Sequence, residues 1–149
     1  MGSADIRNQI GHCQSLLAQA QADQQAAQLK LDAVRAFQTR HTAARQDMEN
    51  DLILRRSRLN GSTIDASRVK TMQGLSSGVT AVLDTGNVHL SRMNEQALRI
   101  ASVIRQLEDE VRQHWVDVGR YQSQLGSLHN QLAAALAEEA KPTKPCRTR

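Results

Sequence analysis

The sequence predicts an all-α protein: a long antiparallel helical hairpin of the coiled-coil type, with a short connecting helix and a disordered C-terminal tail. Composition, proline placement and the spacing of apolar residues support this fold class. Aromatic residues make up only 2% of the 149 residues, and Ala, Gln, Leu and Arg, which favour helices, are abundant. The two prolines are Pro142 and Pro145, so no proline interrupts a helix before the tail.

The first predicted helix covers about residues 4–59. Alternating steps of four and three residues from Ile6 pass through sixteen positions, of which eleven are apolar. This spacing is typical of a helix that packs along one stripe, which we call a seam. The seam weakens between Gln38 and Arg45, where Phe37 lies beside it.

Two stretches of turn-forming residues divide the middle of the chain. Residues 60–63, Asn-Gly-Ser-Thr, are predicted to end the first helix because Asn-Gly favours positive φ, and a Ser, Thr or Asp that follows can cap the next helix. Residues 84–87, Asp-Thr-Gly-Asn, predict a second break. The short connecting helix is therefore expected over about residues 66–83.

The last predicted helix covers about residues 88–139 and has the most regular spacing. Alternating steps of three and four residues from Leu90 to Ala135 pass through fourteen positions, of which thirteen are apolar. Two long helices of similar length favour an antiparallel hairpin, in which about residue 106 would lie opposite His41. The alternative is one continuous rod that pairs only with another chain.

The basic charge of the chain is concentrated in residues 141–149. The formal net charge is +4 and the isoelectric point is about 9.6. Four of the 19 Lys and Arg residues lie in this tail, which has no Asp or Glu, so the other 15 match the 15 Asp and Glu residues of the hairpin over 1–140. A nucleic-acid-binding protein carries its basic residues as a face on the folded body. We therefore expect no nucleic-acid binding.

Hydropathy and cysteine usage indicate in which cellular compartment the protein is expected. No apolar run reaches the roughly 18 residues that a transmembrane helix needs, and the N-terminal residues lack the pattern of a secretory signal. We expect a cytoplasmic protein without membrane insertion. Cys13 and Cys146 have no CxxC partner, and free thiols are favoured over a disulfide between them.

No catalytic or nucleotide-binding motif occurs: there is no P-loop, GxGxxG, GxSxG or HExxH. The histidines are scattered, and the two that fall on seams, His41 and His114, are expected to be buried, hydrogen-bonded or register-setting. Glu108, Asp109 and Glu110 are adjacent on a helix and point in different directions, as on a solvated charged face. We expect no enzymatic activity, no cofactor and no metal site.

The candidate partner-binding residues are Trp115, Gly119, Tyr121, Phe37 and Val103. Trp115 lies one place past a seam position, so it either covers the hairpin seam or anchors another protein, since Trp and Tyr are enriched in binding hot spots. Glycine in the middle of a helix costs about 1 kcal/mol relative to alanine, so Gly119 favours a place where another helix approaches closely.

Three segments carry a resemblance to a known family. A Gln/Ala/Leu-rich helix from Ile6 to Leu59 precedes the segment 67–86, and a heptad helix that contains Ile104-Arg-Gln-Leu-Glu-Asp-Glu-Val111 follows. This organisation, over most of residues 5–135, resembles the YwqH-like proteins encoded beside LXG-type toxins of the type VII secretion system in Gram-positive bacteria. It lacks the Trp-x-Gly turn of WXG-type proteins, because Val and Asp follow its single Trp.

The resemblance implies a targeting factor or chaperone that binds the helical export domain of an LXG toxin. Such a protein is cytoplasmic or exported together with its partner. The alternative is a structural coiled coil that homo-oligomerises in a cell-envelope, phage or cytoskeletal assembly. In both cases the expected partner is an elongated helical chain, either the N-terminal domain of a toxin or a second copy of this protein.

Overall fold

A computed structural model of the chain consists of two long α-helices. Helix α1 spans Ser3–Gly61 and helix α2 spans Lys70–Glu139. The structure describes residues 2–61 and 70–141, and these ranges contain no strand. The predicted all-α helical hairpin is confirmed. The candidate caps at 62–65 and nearly all of the predicted tail lie outside the described residues.

The helix pair divides into two compact units. Unit 1 comprises Met1–Lys30 and Leu107–Arg149, and unit 2 comprises Leu31–Gln106. Each unit therefore contains one segment of α1 and one segment of α2. The packing within each unit follows from the seams defined above: every predicted α2 position, and every predicted α1 position except Arg55, is buried or half-buried.

Unit 1 has a core of small and medium-sized apolar side chains. Those buried most deeply are Ile6, Ile10, Cys13, Ala20 and Ala27 of α1, and Val111 and Val118 of α2. At one end of the unit, the backbone N–H and the hydroxyl of Ser3 donate to the two carboxylate oxygens of Glu139, at 3.2 and 3.1 Å. A carboxylate in this position stabilises the positive end of a helix dipole and satisfies a free N–H.

In unit 2, the buried apolar side chains among the described residues are Leu31, Leu52, Leu83 and Ile104. Between them, the α1 seam carries half-buried polar residues at Gln38, His41 and Arg45. The weakening of the seam that the sequence predicted is therefore present in the structure.

The prediction of a helix break at residues 84–87 is wrong. Helix α2 is continuous from Lys70 to Glu139, so no separate connecting helix exists within the described residues. The reason lies in Gly86, which falls on the α2 seam directly against Leu52. A Cβ atom on Gly86 would collide with Leu52 Cδ2 and would lie 3.4 Å from both Cδ1 and Cγ. Glycine here permits close approach of the two helices and does not end the helix.

The neighbours of Gly86 are likewise accommodated within the helix. The Thr85 hydroxyl donates to the Ala81 carbonyl at 2.9 Å, and the Asn87 side-chain oxygen accepts from Arg56 Nη2 at 3.4 Å. These residue types favour turns because their side chains compete for local hydrogen bonds. In α2 those bonds are made without breaking the helix.

The predicted register of the hairpin is also wrong. His41 Nε2 lies 3.3 Å from Gln96 Oε1, so His41 faces Gln96 and not about residue 106 as predicted. That register assumed that residues 60–87 connect the helices. Because α2 already includes residues from Lys70 onward, its residues meet α1 earlier in the chain.

Gly119 and Gly86 differ in the space above them, so replacement by alanine is expected to change the stability of the protein differently at the two positions. An added Cβ at Gly119 meets nothing within 4 Å, so Gly119→Ala should raise the free energy of unfolding by about 1 kcal/mol, the usual helix gain. At Gly86 the same gain is opposed by displacement of buried Leu52, so Gly86→Ala should give no gain or a net loss. Urea unfolding followed by circular dichroism measures both. Equal gains at the two sites would show that Leu52 adjusts without cost.

Candidate functional site

The five residues predicted to bind a partner are divided between the two units. Trp115, Gly119 and Tyr121 belong to unit 1, whereas Phe37 and Val103 belong to unit 2. Each group is therefore described within its own unit.

Trp115 lies on the flank of α2 with its side chain largely in solvent. It is 59% exposed, and so is its neighbour Val116. Gly119, one turn later, is exposed and has open space above it. The lack of a side chain at Gly119 therefore makes room for no neighbour within the described part of the chain. The close approach predicted at this position does not come from α1. The exposed Trp115 remains available to another protein.

Tyr121 takes part in packing within unit 1. It is half-buried on the α2 seam, and its backbone oxygen accepts a hydrogen bond from the buried, free thiol of Cys13 at 3.5 Å. The Arg120 guanidinium lies 4.9 Å from the centre of the Tyr121 ring and donates to its hydroxyl at 3.2 Å. Tyr121 therefore contributes to the helix pair.

Phe37 and Val103 form an exposed apolar pair of positions on one side of unit 2. Each lies one place before a seam residue, Phe37 before Gln38 and Val103 before Ile104. In an antiparallel helix pair, positions of this kind share one side of the seam. Phe37 is 50% exposed and Val103 is 42% exposed, and the Phe37 ring tilts against His41 with 6.1 Å between ring centres.

A polar layer crosses the seam beside this pair. His41 meets Gln96 as described above, and Arg45 Nη1 donates to Asn94 Oδ1 at 3.2 Å. These hydrogen bonds are exposed, so water competes with each of them and their net contribution to stability is small. Between Leu31 and Leu52, no side chain of α1 is deeply buried, and the polar layer lies within this stretch.

Unit 2 contains a groove that was not predicted from the sequence, which we call the Gly74–Gly78 groove. It has a volume of about 600 Å³, opens to solvent, and lies between the last turns of α1 and the first turns of α2. Its lining includes Arg55, Arg58, Gly74, Leu75, Gly78 and Val82. The signal for it is the spacing of glycine four residues apart with Leu75 and Val82 seven apart, which places small and large apolar residues on one side of α2.

The charges around the groove are not balanced. Arg55 Nε forms an ion pair with Asp51 Oδ2 at 2.8 Å, whereas Arg58 makes no ion pair with a described carboxylate. Elsewhere Arg112 pairs with Asp109 at 3.2 Å, and Arg120 pairs with Asp117 at 3.3 Å. These pairs lie at the surface, with only Asp117 half-buried, and they contribute little to stability, but they neutralise the carboxylates involved.

Groups that would support metal chemistry or membrane insertion are not found in the described residues. Within 2–61 and 70–141 no three His, Cys, Asp or Glu side chains come together at a candidate metal site. His114, predicted on the seam, is half-buried, and its Nε2 lies 3.8 Å from Glu110 Oε1 on the same helix. Over the same ranges, neither helix has the length and apolar character needed to span a membrane. Comparisons with protein-family models, curated proteins and solved structures find no match.

Proposed function

We propose that this protein is a non-enzymatic interaction protein that binds another elongated helical chain. The observation that carries the proposal is the distribution of apolar side chains. Of the eleven buried hydrophobic residues that the structure describes, three are Ala20, Ala27 and Cys13, whereas twelve large hydrophobic side chains are at least 40% exposed. Among the described residues, the large apolar side chains that are at least 40% exposed therefore outnumber those that are fully buried.

Burial of these side chains would be strongly favourable. Each large apolar side chain contributes about 1.5–3 kcal/mol when it moves from water into a packed interface. Scattered exposed hydrophobic residues are normal on a protein surface. Here, however, Phe37, Val103 and Val82 lie at equivalent heptad positions on one side of unit 2. A third and a fourth helix along such a side would produce a helix bundle, the usual way in which amphipathic helices complete a core.

The more specific form of the proposal is a targeting factor or chaperone for a type VII-secreted LXG-type toxin, whose helical export domain is the partner. Its support is the resemblance in helix organisation together with the incomplete core of the helix pair. A chaperone for a helical domain must expose apolar surface before its partner arrives and must keep that surface soluble, and the charged residues around the exposed side chains supply that solubility.

The first test is complex formation with the product of the neighbouring gene. We expect co-expression to give a stable hetero-complex, and sedimentation equilibrium of the protein alone to show weaker self-association. A tight homo-oligomer that does not bind the product of the neighbouring gene would instead support a structural coiled coil.

The second test concerns Trp115 in that complex. Trp115→Ala should weaken association by about 2 kcal/mol or more, because exposed tryptophans act as anchors, and should leave the helicity of the free protein unchanged. Val116→Ala is the matched control, since Val116 is adjacent and equally exposed but points elsewhere on the helix. Titration calorimetry compares the three proteins. If Trp115→Ala unfolds the free protein and leaves affinity unchanged, Trp115 belongs to the core.

A further inference from the structure

We infer that the Gly74–Gly78 groove binds an amphipathic helix that carries Asp or Glu beside its apolar stripe. The inference rests on the proposed function, because it assigns a place on this protein and a chemistry to the partner helix. It concerns unit 2 alone, and the predicted Trp115 contact lies in unit 1.

The shape of the groove fits a helix. Gly74 and Gly78 are four residues apart and therefore lie one above the other on α2. A Cβ atom added to either glycine meets nothing within 4 Å, so the space above both is open. Beside this gap, on one flank of the glycines, Leu75 is 65% exposed and Val82 is 57% exposed. A helix that lies over the glycines would approach the α2 backbone closely and bury both side chains.

The charge of the groove selects an acidic helix. The sequence has no Asp or Glu at positions 52–61 or 70–83, whereas it has Arg55, Arg56 and Arg58 in the first of these segments. Asp51 neutralises Arg55, and Arg56 donates to Asn87, which is uncharged. Arg58 lines the groove without a described carboxylate partner. A carboxylate on the incoming helix would pair with Arg58, because binding surfaces carry complementary charges.

The probe is a stapled helical peptide with one Leu stripe flanked by Glu, compared with the same peptide carrying Lys in place of Glu. Fluorescence anisotropy with the whole chain should show about tenfold tighter binding of the Glu peptide, with the difference shrinking at high salt. Equal affinities, or no binding of either peptide, would overturn the inference.

Two variants locate the binding. Arg58→Glu should reverse the preference between the peptides, and Gly78→Leu should abolish binding of both by filling the groove. Arg99→Glu and Gly126→Leu are matched controls at exposed helical positions away from the groove, and they should bind like the unchanged protein. Circular dichroism checks that each variant is folded.

Two further outcomes separate this inference from the proposed function. If the hetero-complex with the neighbouring gene product survives Gly78→Leu, the proposed function stands and the groove assignment fails. If the protein self-associates and Gly78→Leu abolishes that self-association, the occupant is a second copy and the acidic-partner assignment is overturned.

Discussion

Leu31→Ala should lower the free energy of unfolding by about 3 kcal/mol, within the range of about 2–5 kcal/mol for buried leucines. Leu31 is 3% exposed and is one of four buried apolar side chains among the described residues of unit 2. The next seam residues of α1, Val34 and Gln38, are only half-buried. They offer little apolar volume that could move into the cavity, so relaxation should recover only a small part of the loss.

The matched control is Leu29→Ala, two residues away on the same helix. Leu29 is 71% exposed, so its truncation should change stability by about 0.5 kcal/mol or less. Both changes replace Leu with Ala in the same helix, so the effect on helix propensity is the same and cancels when the two variants are compared. Urea unfolding with unchanged m-values measures the difference. Equal losses would show that the outer face of α1 is buried by self-association, and repeating the measurement at lower protein concentration would test that.

The seam residues could be predicted from the sequence because a helix pair buries one stripe of each helix. Steps of three and four residues identify that stripe without knowledge of the partner helix. The structure accordingly buries or half-buries every predicted α2 position, including the lone polar position His114. Arg55 is the exception on α1. Arg55 is exposed, and its guanidinium pairs with Asp51 one turn earlier.

The continuity of α2 could not be predicted in the same way, since glycine serves both to end helices and to let helices approach. Gly86 continues the α2 seam by one step of four before Leu90, which is the signal that distinguishes it from Gly119. That signal becomes decisive only once Leu52 is known to lie opposite. The register of the hairpin depends on the same information, and for that reason the predicted partner of His41 was ten residues away from the observed one, Gln96.

The partner-binding role of the candidate residues stays a prediction. Phe37, Val103 and Trp115 are exposed, whereas the backbone oxygen of Tyr121 accepts a hydrogen bond from Cys13 in unit 1. The Gly74–Gly78 groove was missed because a surface groove depends on two helices at once. Glycine spacing on α2 gives one wall, and the facing arginines of α1 are identified only by the observed register.

Replacement of Gln38, His41 and Arg45 together by Leu should raise the free energy of unfolding by about 3 kcal/mol. Each position is half-buried on the seam, so each Leu should contribute about 1 kcal/mol, roughly half the value for full burial. The hydrogen bonds that are lost, to Gln96 and Asn94, are exposed and have small net value. Both acceptors lie in water, so neither is left buried without a partner.

The control for this variant is Arg40→Leu, which adds the same side chain at an exposed position of the same helix and should change stability by about 0.5 kcal/mol or less. Polar residues within a seam also fix register and restrict self-association, at a cost in stability. The triple variant should therefore form higher oligomers in sedimentation equilibrium, while Arg40→Leu should not. A triple variant that is less stable than the unchanged protein would show that the polar layer contributes more to folding than three leucines, and that its exposed hydrogen bonds are stronger than their geometry indicates.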